Sequence, residues 1–554
     1  MIQTKTIDGL LLRDMVLAGA AMLERNREAV DALNVFPVPD GDTGTNMSLT
    51  MISATKEISC KEYLNAGEAA EALAKGALRG ARGNSGVITS QLYRGFARAL
   101  EGVDRITPIQ FARALKSGSE TAYKAMMKPK EGTILTVARV IAKDAIRQAE
   151  IDPDNYDALF QTILTSGDAI LKKTQQMLPA LTQAGVVDAG GRGLLLIYMG
   201  YASALRGEEI PPMGVDLSTD GVAVFEDDHD ALAQIEFAYC TEFLIQYLYP
   251  DTLQEDIESF RRRLNRIGDC VLVVGDLSLV KVHVHTNEPG KALEYGLSLG
   301  ELVNLKIENM LQQRRDRIGV SAPQINEASM GQTVPKDYGM VAVSMGDGFN
   351  KIFADLQVDQ IVEGGQTMNP SIEALSSAIE KVHAKCVFIL PNNSNVILAA
   401  QQAAELCDSK EVHVIATKNM AMGISAVVAF QSDADGETNT KRMSEAANRV
   451  RTGAVTYAVR DSELEDLHIK QGDIIGLYNG RIQVVGDDVQ SVTYNLMQGI
   501  ITDGDELITV YYGKDVKEGD AERLTSTIAD LYNDCDVEMH CGGQPLYYYL
   551  LSVE

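Results

Sequence analysis

The chain has little of several features that would point to other classes of protein. Seven cysteines among 554 residues are too few and too scattered for a disulfide framework, and their odd number favours reduced thiols. The longest apolar segment, residues 193–205, is shorter than the roughly 20 apolar residues that span a membrane. The first residues lack the apolar stretch of a signal peptide. We therefore expect a cytoplasmic protein without an integral membrane segment.

Basic residues are also in deficit. Fifty lysines and arginines face 77 acidic residues, which gives a formal net charge of -27. Such a surface repels nucleic acid and anionic membranes, so we expect neither as a partner. A small anion that carries divalent cations is still compatible with this charge, because bound cations invert the local field.

Histidine is absent before His229, so a site in the N-terminal region would have no imidazole base. If the reacting group of the substrate is a carboxylate, it is already ionised at pH 7 and needs only positioning and charge neutralisation. If it is an alcohol, another base would be needed, such as an aspartate. The sequence alone is compatible with both kinds of substrate.

The length predicts several domains, and the patterns along the chain divide it into three. Residues 1–206 have a helical period and predict an all-helical bundle, with the glycine clusters confined to its loops. Residues 207–235 read as a linker, and residues 236–313 predict a small α+β domain in the order βαββαβ. A second linker, residues 314–337, precedes an α/β domain at residues 338–554, whose first part predicts a parallel sheet.

The most informative loop reads D-G-D-T-G and spans residues 40–44. Asp40 and Asp42 flank one glycine, so their carboxylates can converge on a hard cation such as Mg²⁺, and the carbonyl of Asn34 could add a neutral oxygen. The alternative is a plain turn followed by a helix that Thr43 or Thr45 caps.

Three further glycine loops each precede a predicted helix, at residues 80–86, 129–133 and 185–193. Backbone N–H groups at helix starts favour phosphate oxygens, and Arg82 could add positive charge. For Asp188 the alternative is a structural N-cap. Four such loops in one bundle are difficult to explain by helix termination alone.

Together the segments D-G-D-T-G, G-A-R-G-N-S-G-V, E-G-T-I-L-T-V and G-V-V-D-A-G-G-R-G-L resemble the nucleotide-binding domain of dihydroxyacetone kinases. Their order and context most resemble the catalytic subunit of bacterial fatty acid kinase, which joins that domain to a DegV-like C-terminal part. One departure is that dihydroxyacetone kinases place a third aspartate about five residues before the first of the pair, where this chain has Val35.

The resemblance implies that Asp40 and Asp42, with Asn34 as a further ligand, hold two magnesium ions that bridge the phosphates of ATP. The positions that would contact the nucleotide are Thr43, Asn46, Arg82, Gly83, Asn84, Ser85, Gly86, Thr133, Asp188 and Gly190. It also implies transfer of phosphate to a fatty acid on a DegV-family fatty acid binding protein, giving an acyl phosphate for phospholipid synthesis. One alternative is a subunit of a dihydroxyacetone-type polyol kinase, and the other is a nucleotide-regulated, non-enzymatic scaffold for lipid carriers.

The other two domains carry weaker signals. His283 and His285 alternate along one predicted strand and, with Cys240 on a strand expected to pair nearby, predict a zinc site. The alternative is two partly buried histidines and an unreactive core cysteine. In the last domain, residues 364–371 and 391–395 follow predicted strands and are either structural turns or ligand loops. We expect that domain to dock the carrier or a second copy of this chain.

Overall fold

A computed structural model describes residues 4–34, 41–126, 128–208, 239–246, 248–249, 252, 254–264, 266–275, 279–309, 336–365, 368–464 and 467–554. The chain forms two compact units. Met1–Thr219 and Val334–Glu554 make one unit, and Asp220–Thr333 make the other. The predicted fold class, with a helical N-terminal part, a small α+β middle part and an α/β C-terminal part, is confirmed.

The N-terminal domain is entirely helical within its described residues. Its helices are α1 (Gly9–Arg25), α2 (Arg27–Asp31), α3 (Thr43–Ile58), α4 (Ala66–Gly80), α5 (Gly83–Ala99), α6 (Pro108–Ala125), α7 (Ile134–Ile151), α8 (Tyr156–Met177), α9 (Pro179–Ala184) and α10 (Ala189–Leu205). The eight longer helices form a closed ring, in which each packs against the next in sequence and α10 returns to α1. One core of small and aliphatic side chains fills the ring, with an aromatic group around Phe111 and Phe160. Among the described residues, no helix combines the length and the apolar character needed to cross a membrane.

The middle domain has the predicted βαββαβ order. Its elements are β1 (Tyr239–Gln246), α11 (Gln254–Leu264), β2 (Gly268–Gly275), β3 (Leu279–Thr286), α12 (Pro289–Leu297) and β4 (Glu301–Asn309). The strands form an antiparallel sheet in the order β2-β3-β1-β4. Both helices pack against it through a core that includes Phe243, Phe260 and Val282.

The C-terminal domain begins with a parallel sheet flanked by helices. Its elements are β5 (Lys336–Ser344), α13 (Asp347–Asp355), β6 (Gln360–Glu363), α14 (Ile372–Lys381), β7 (Ala384–Leu390), α15 (Ile397–Glu405), β8 (Glu411–Val414), α16 (Met420–Val428) and α17 (Gly436–Arg449). The strands are in the order β6-β5-β7-β8, and each neighbouring pair is parallel. The loops after β6 and β7 therefore leave the same edge of the sheet, the carboxyl edge. Ligands of open parallel sheets bind at that edge.

A mixed sheet of six strands completes this domain. Its elements are β9 (Arg451–Tyr457), β10 (Ser462–Leu464), β11 (Leu467–Ile469), β12 (Ile474–Tyr478), β13 (Arg481–Gly486), α18 (Val489–Ile500), β14 (Leu507–Tyr512), α19 (Glu518–Leu531), β15 (Asp536–Cys541) and β16 (Tyr547–Val553). The order is β13-β12-β9-β16-β14-β15, while β10 and β11 form a separate hairpin. The parallel sheet is therefore joined to a largely antiparallel one, which the sequence did not predict.

The helical and C-terminal domains share a hydrophobic core. Ala81, which follows α4, and Val87, in the second turn of α5, lie in one buried cluster with Val343 of β5 and residues of α14 and α15. The backbone N–H of Ile372 donates to the carbonyl of Ala81 at 3.1 Å. A buried hydrogen bond joins Gln91 Nε2 to Gln402 Oε1 at 2.8 Å. A contact with both apolar packing and satisfied polar groups resembles a domain interior more than a transient docking surface.

Candidate nucleotide and metal site

The four glycine loops predicted from the sequence precede helices α3, α5, α7 and α10. Their starts lie close together: a Cβ on Gly83 would be 2.5 Å from Asn46 Nδ2, and a Cβ on Gly190 would be 3.2 Å from Ile134 Cβ. Gly193 of α10 packs equally closely on Met47 of α3. One end of the bundle therefore presents several helix N-termini, whose N–H groups and dipoles favour anions.

The start of α3 is held by a residue from outside that helix. Asp31 Oδ1 accepts hydrogen bonds from the backbone N–H groups of Gly44 at 2.6 Å and Thr45 at 3.1 Å, and Oδ2 accepts from Thr45 Oγ1 at 2.8 Å. The N-cap position itself is Asp42, rather than the Thr43 or Thr45 of the structural alternative, and its side chain makes no capping hydrogen bond. The Asp42 carboxylate thus does not serve its own helix.

Asp42 lies in a polar pocket that is nearly closed to solvent. Its exposure is 5%, and its Oδ2 accepts a hydrogen bond from Asn369 Nδ2 at 2.5 Å. Asn46, one turn further along α3, is equally buried, and its Oδ1 lies 3.4 Å from the same Asn369 nitrogen. A buried carboxylate and two amide side chains supply the oxygen ligands that Mg²⁺ prefers.

Asp40 lies outside the described residues, and Asn34 is the last described residue before it. The guanidinium of Arg460, from the C-terminal domain, donates to the carbonyl oxygens of Asn34 and Ala32. A cation at the backbone carbonyl of Asn34 disfavours a divalent metal on that same oxygen. The side-chain amide oxygen of Asn34 is the other oxygen that this residue offers, so the Asn34 ligand stays a prediction.

The loop at residues 82–86 is shaped by one residue that must be glycine. Gly83 has φ +56° and opens α5, and Asn46 and Asn369 leave no room for a side chain there. Arg82 Nη1 donates to the carbonyl of Asn369 at 3.2 Å, and Asn84 Nδ2 donates to Asn395 Oδ1 at 3.2 Å. The predicted phosphate loop is therefore in contact with both polar loops of the C-terminal domain.

Ser85 and Gly86 lie in the first turn of α5. The carbonyl of Ser85 accepts from Thr89 Oγ1 at 2.8 Å, and the N–H of Gly86 donates to the Arg82 carbonyl at 3.1 Å. A Cβ on Gly86 would be 2.4 Å from Thr50 Oγ1, which shows how closely α5 approaches α3. The close approach brings this loop beside Asp42.

The loop before α7 is braced by hydrogen bonds. Thr133 is the N-cap residue, and its hydroxyl donates to the Lys130 carbonyl at 2.8 Å. Hydrogen bonds from Thr136 and Arg139 lower the pKa of Glu131 and hold it ionised. This network fixes the backbone on which Thr133 sits.

Asp188 performs the structural role that was the alternative to nucleotide binding. Its Oδ2 accepts from the N–H of Gly191 at 2.7 Å, as an N-cap of α10. Burial raises the pKa of this carboxyl to about 6, although hydrogen bonds from the backbone of Gly191 and Ile134 partly oppose the shift. Capping does not exclude contact with a nucleotide, so that role is still a prediction.

Sequence reasoning assigned no role to Asp31, Asn369, Asn395 or Arg460. The loops that hold Asn369 and Asn395 were recognised as polar segments after strands, but nothing in the sequence indicated that they meet the glycine loops. Asn369 is fully buried, and its Oδ1 has no hydrogen-bond partner among the described residues. A buried acceptor of this kind, next to a carboxylate and helix N-termini, fits a site for a metal-bound nucleotide.

The zinc prediction falls on residues whose side chains lie outside the described part of the structure. The backbone register of β1 and β3 pairs Cys240 with His285 and Glu242 with His283. That pairing is the one the prediction requires.

A second cluster contains Cys386, Glu411 and His413, whose ligand atoms lie within 4.8 Å of one another. Burial and the charge of Glu411 raise the pKa of Cys386 to about 11, which keeps the thiol protonated at pH 7 when no metal is bound.

Comparison with known families gives three matches in chain order. The DAK2 domain matches residues 37–203, the FakA-like middle domain of fatty acid kinases matches residues 236–317, and the FakA-like C-terminal domain matches residues 339–554. Protein YloV of Bacillus subtilis (strain 168) is 43% identical over 556 residues, covering 99% of this chain and 100% of that protein.

An uncharacterized protein of Staphylococcus aureus (strain MRSA252) is 40% identical over 551 residues, covering 99% of each chain. Among solved structures, a DegV family protein from Corynebacterium glutamicum covers 39% of this chain and 97% of its own, with 14% identity. Its TM-score of 0.31 is too low to support an argument about the C-terminal domain.

Proposed function

Because this chain belongs to the FakA-like family of fatty acid kinases, we propose that it transfers the γ-phosphate of ATP to the carboxylate of a fatty acid. The fatty acid would be presented by a separate DegV-family fatty acid binding protein, and the acyl phosphate would serve phospholipid synthesis. The observation that carries the proposal is the Asp42 carboxylate, which is buried among several helix N-termini while Asp31 holds the helix start.

Each group of residues in the site would have a separate role in phosphoryl transfer. Asp42, with Asp40, would hold magnesium, which when bound neutralises charge on the phosphates. The backbone N–H groups at the start of α5 would bind phosphate oxygens, and Arg82 would add positive charge. The loop before α7 and the Asp188 cap would border the nucleotide. Such a site acts by positioning and electrostatics, without covalent chemistry by the protein.

The lack of histidine in this domain is compatible with a carboxylate acceptor, and the preference for a fatty acid comes from the family. A fatty acid carboxylate is ionised at pH 7, so its oxygen can attack phosphorus without losing a proton. The γ-phosphoryl group then passes to that oxygen and ADP leaves. An alcohol acceptor would need a base, and the carboxylates of this site are the ones proposed to hold metal.

The test is transfer of labelled phosphate from ATP to oleate with Mg²⁺, with and without a DegV-type carrier, while hydroxylamine traps the acyl phosphate. We expect a hydroxamate that depends on Mg²⁺ and on the carrier. Asp42→Asn should reduce the rate at least 100-fold, whereas Asp168→Asn, an exposed carboxylate on α8, should not. Transfer to dihydroxyacetone instead would support the polyol kinase, and no ATP turnover with any acceptor would support the scaffold.

A further inference from the structure

Asn369 reaches the candidate site from the C-terminal domain, 327 positions along the chain from Asp42. Its side-chain nitrogen donates to Asp42 Oδ2 at 2.5 Å and lies 3.4 Å from Asn46 Oδ1. Both partners belong to the start of α3, where the metal and phosphate positions are proposed. A residue outside the kinase domain thus contacts the carboxylate that the mechanism depends on.

The other end of the same amide has no partner among the described residues. Asn369 is 0% exposed, and its Oδ1 accepts no hydrogen bond from any residue that the structure describes. Leaving a buried amide oxygen unpaired costs free energy, so such an atom in a native site indicates an ordered water, an ion or a ligand. A hydrated divalent cation beside Asp42 would supply O–H donors to that oxygen.

The loop around Asn369 is fixed on both sides. Gly364 N–H donates to the Ser344 carbonyl at 3.0 Å before it, and Ile372 N–H donates to the Ala81 carbonyl at 3.1 Å after it. Arg82 Nη1 holds the carbonyl of Asn369 itself at 3.2 Å. The side chain is therefore presented by anchored backbone, as precise positioning requires.

We propose that Asn369 is a positioning residue of the phosphotransfer site, so that the site is shared between the helical and C-terminal domains. Its amide nitrogen orients the Asp42 carboxylate, and its amide oxygen would accept hydrogen bonds from the water of a cation bound at Asp42. Hydrogen bonds to metal-binding carboxylates commonly set ligand orientation in this way. This inference rests on the proposed function, and it gives the C-terminal domain a part in the site besides docking.

The first test is Asn369→Ala in the full-length chain, with ATP binding measured by calorimetry in Mg²⁺ and in EDTA. We expect affinity in Mg²⁺ to fall about 10- to 100-fold while the affinity in EDTA changes little. Gln402→Ala is the matched control, because it removes the buried hydrogen bond from Gln91 across the same domain contact. Gln91 lies about two turns along α5 from the site. It should lower stability without changing Mg²⁺-dependent binding.

A second variant tests the same inference without nucleotide. Asn369→Asp places a carboxylate against Asp42, and the two like charges should lower the thermal unfolding midpoint in EDTA. Mg²⁺ alone should then raise the midpoint of this variant more than that of the wild type. Equal responses to Mg²⁺ would overturn the proposal.

The ATP-binding measurement also distinguishes a failure of this inference from a failure of the proposed function. If the wild type binds ATP in Mg²⁺ and Asn369→Ala binds equally well or more tightly, Asn369 is only an interface residue or a latch, and the inference is overturned while the function stands. If the wild type shows no Mg²⁺-dependent ATP binding, the proposed function fails and the inference with it.

Discussion

Two aspartates at the start of α3 have different physical roles. Asp31 satisfies two orphan N–H groups and one hydroxyl, whereas Asp42 faces the polar pocket shared with Asn369. A cap supplied from the preceding helix fixes the backbone on which Asp42 sits. The position of the proposed metal ligand therefore depends on a capping residue that belongs to α2.

We expect Asp31→Ala to lower the free energy of unfolding by about 1–2 kcal/mol, as lost helix caps do. It should also weaken Mg²⁺-dependent ATP binding, because the Asp42 backbone loses its anchor. Asp31→Asn keeps an oxygen acceptor and should restore most of both quantities. Urea denaturation and calorimetry would measure them, and an alanine variant with unchanged stability would contradict the capping role.

Asp188 gives the protein a pH dependence of defined sign. Because burial raises its pKa to about 6 in the folded state, the folded protein binds more protons than the unfolded chain between about pH 4 and 6. The contribution of Asp188 to stability is therefore present at low pH and is lost as the pH rises through 6. The ionised carboxylate destabilises by at most about 3 kcal/mol, less the part that water screens at this partly exposed side chain.

Asp188→Asn should remove that loss while keeping the cap, since an amide oxygen can accept from Gly191. Scanning calorimetry at pH 4 and pH 7 should show the variant gaining stability over the wild type only at pH 7. A gain of the same size at both values would mean that the pKa of Asp188 is not raised.

At this scale the sequence predicted local chemistry and missed distant contacts. The carboxylate at position 42 and the glycine loop at residues 80–86 belong to short motifs that are visible in the sequence, and their combination with two further loops pointed to a common site. Asn369 could not be assigned, because its role depends on a contact across 327 positions and on a domain packing that no local pattern encodes. Arg460 and Asn395 were missed for the same reason.

At the scale of elements, strands and helices with a regular apolar period were predicted well. The βαββαβ order of the middle domain was confirmed. The mixed six-stranded sheet was not predicted, because its strands pair out of sequence order and β9 lies between β12 and β16. Side-chain alternation indicates a strand but not its neighbour.

The β1–β3 pair carries the zinc prediction. We expect the purified protein to contain about one zinc per chain by elemental analysis, as a Cys–His–His set would hold. Cys240→Ser should release most of it and lower the thermal stability of the middle unit, because a structural metal stabilises the fold that binds it. Cys407→Ser, which alters a cysteine of the C-terminal domain, should retain the zinc. Full zinc content in the Cys240 variant would disprove the assignment.

At the scale of the whole molecule, the boundary between the helical and C-terminal domains is unusual for a linker-joined pair. A single buried cluster contains Val87 from one domain and Val343 from the other, and hydrogen bonds cross the same contact. The sequence suggested separate domains because a long segment lies between them. Their shared core instead couples their stabilities, while residues 220–333 form their own compact unit with a separate core.

This coupling predicts how heat unfolds the chain. Val87→Ala and Val343→Ala each remove two buried methyl groups from the shared core, which costs roughly 1–3 kcal/mol. Both should lower the midpoint of the same calorimetric transition, although they lie in different domains. Val284→Ala, in the core of the middle unit, should lower a different transition. If Val87→Ala and Val343→Ala shifted two separate transitions, the domains would unfold independently, and a site built from both would have no common scaffold to hold Asn369 against Asp42.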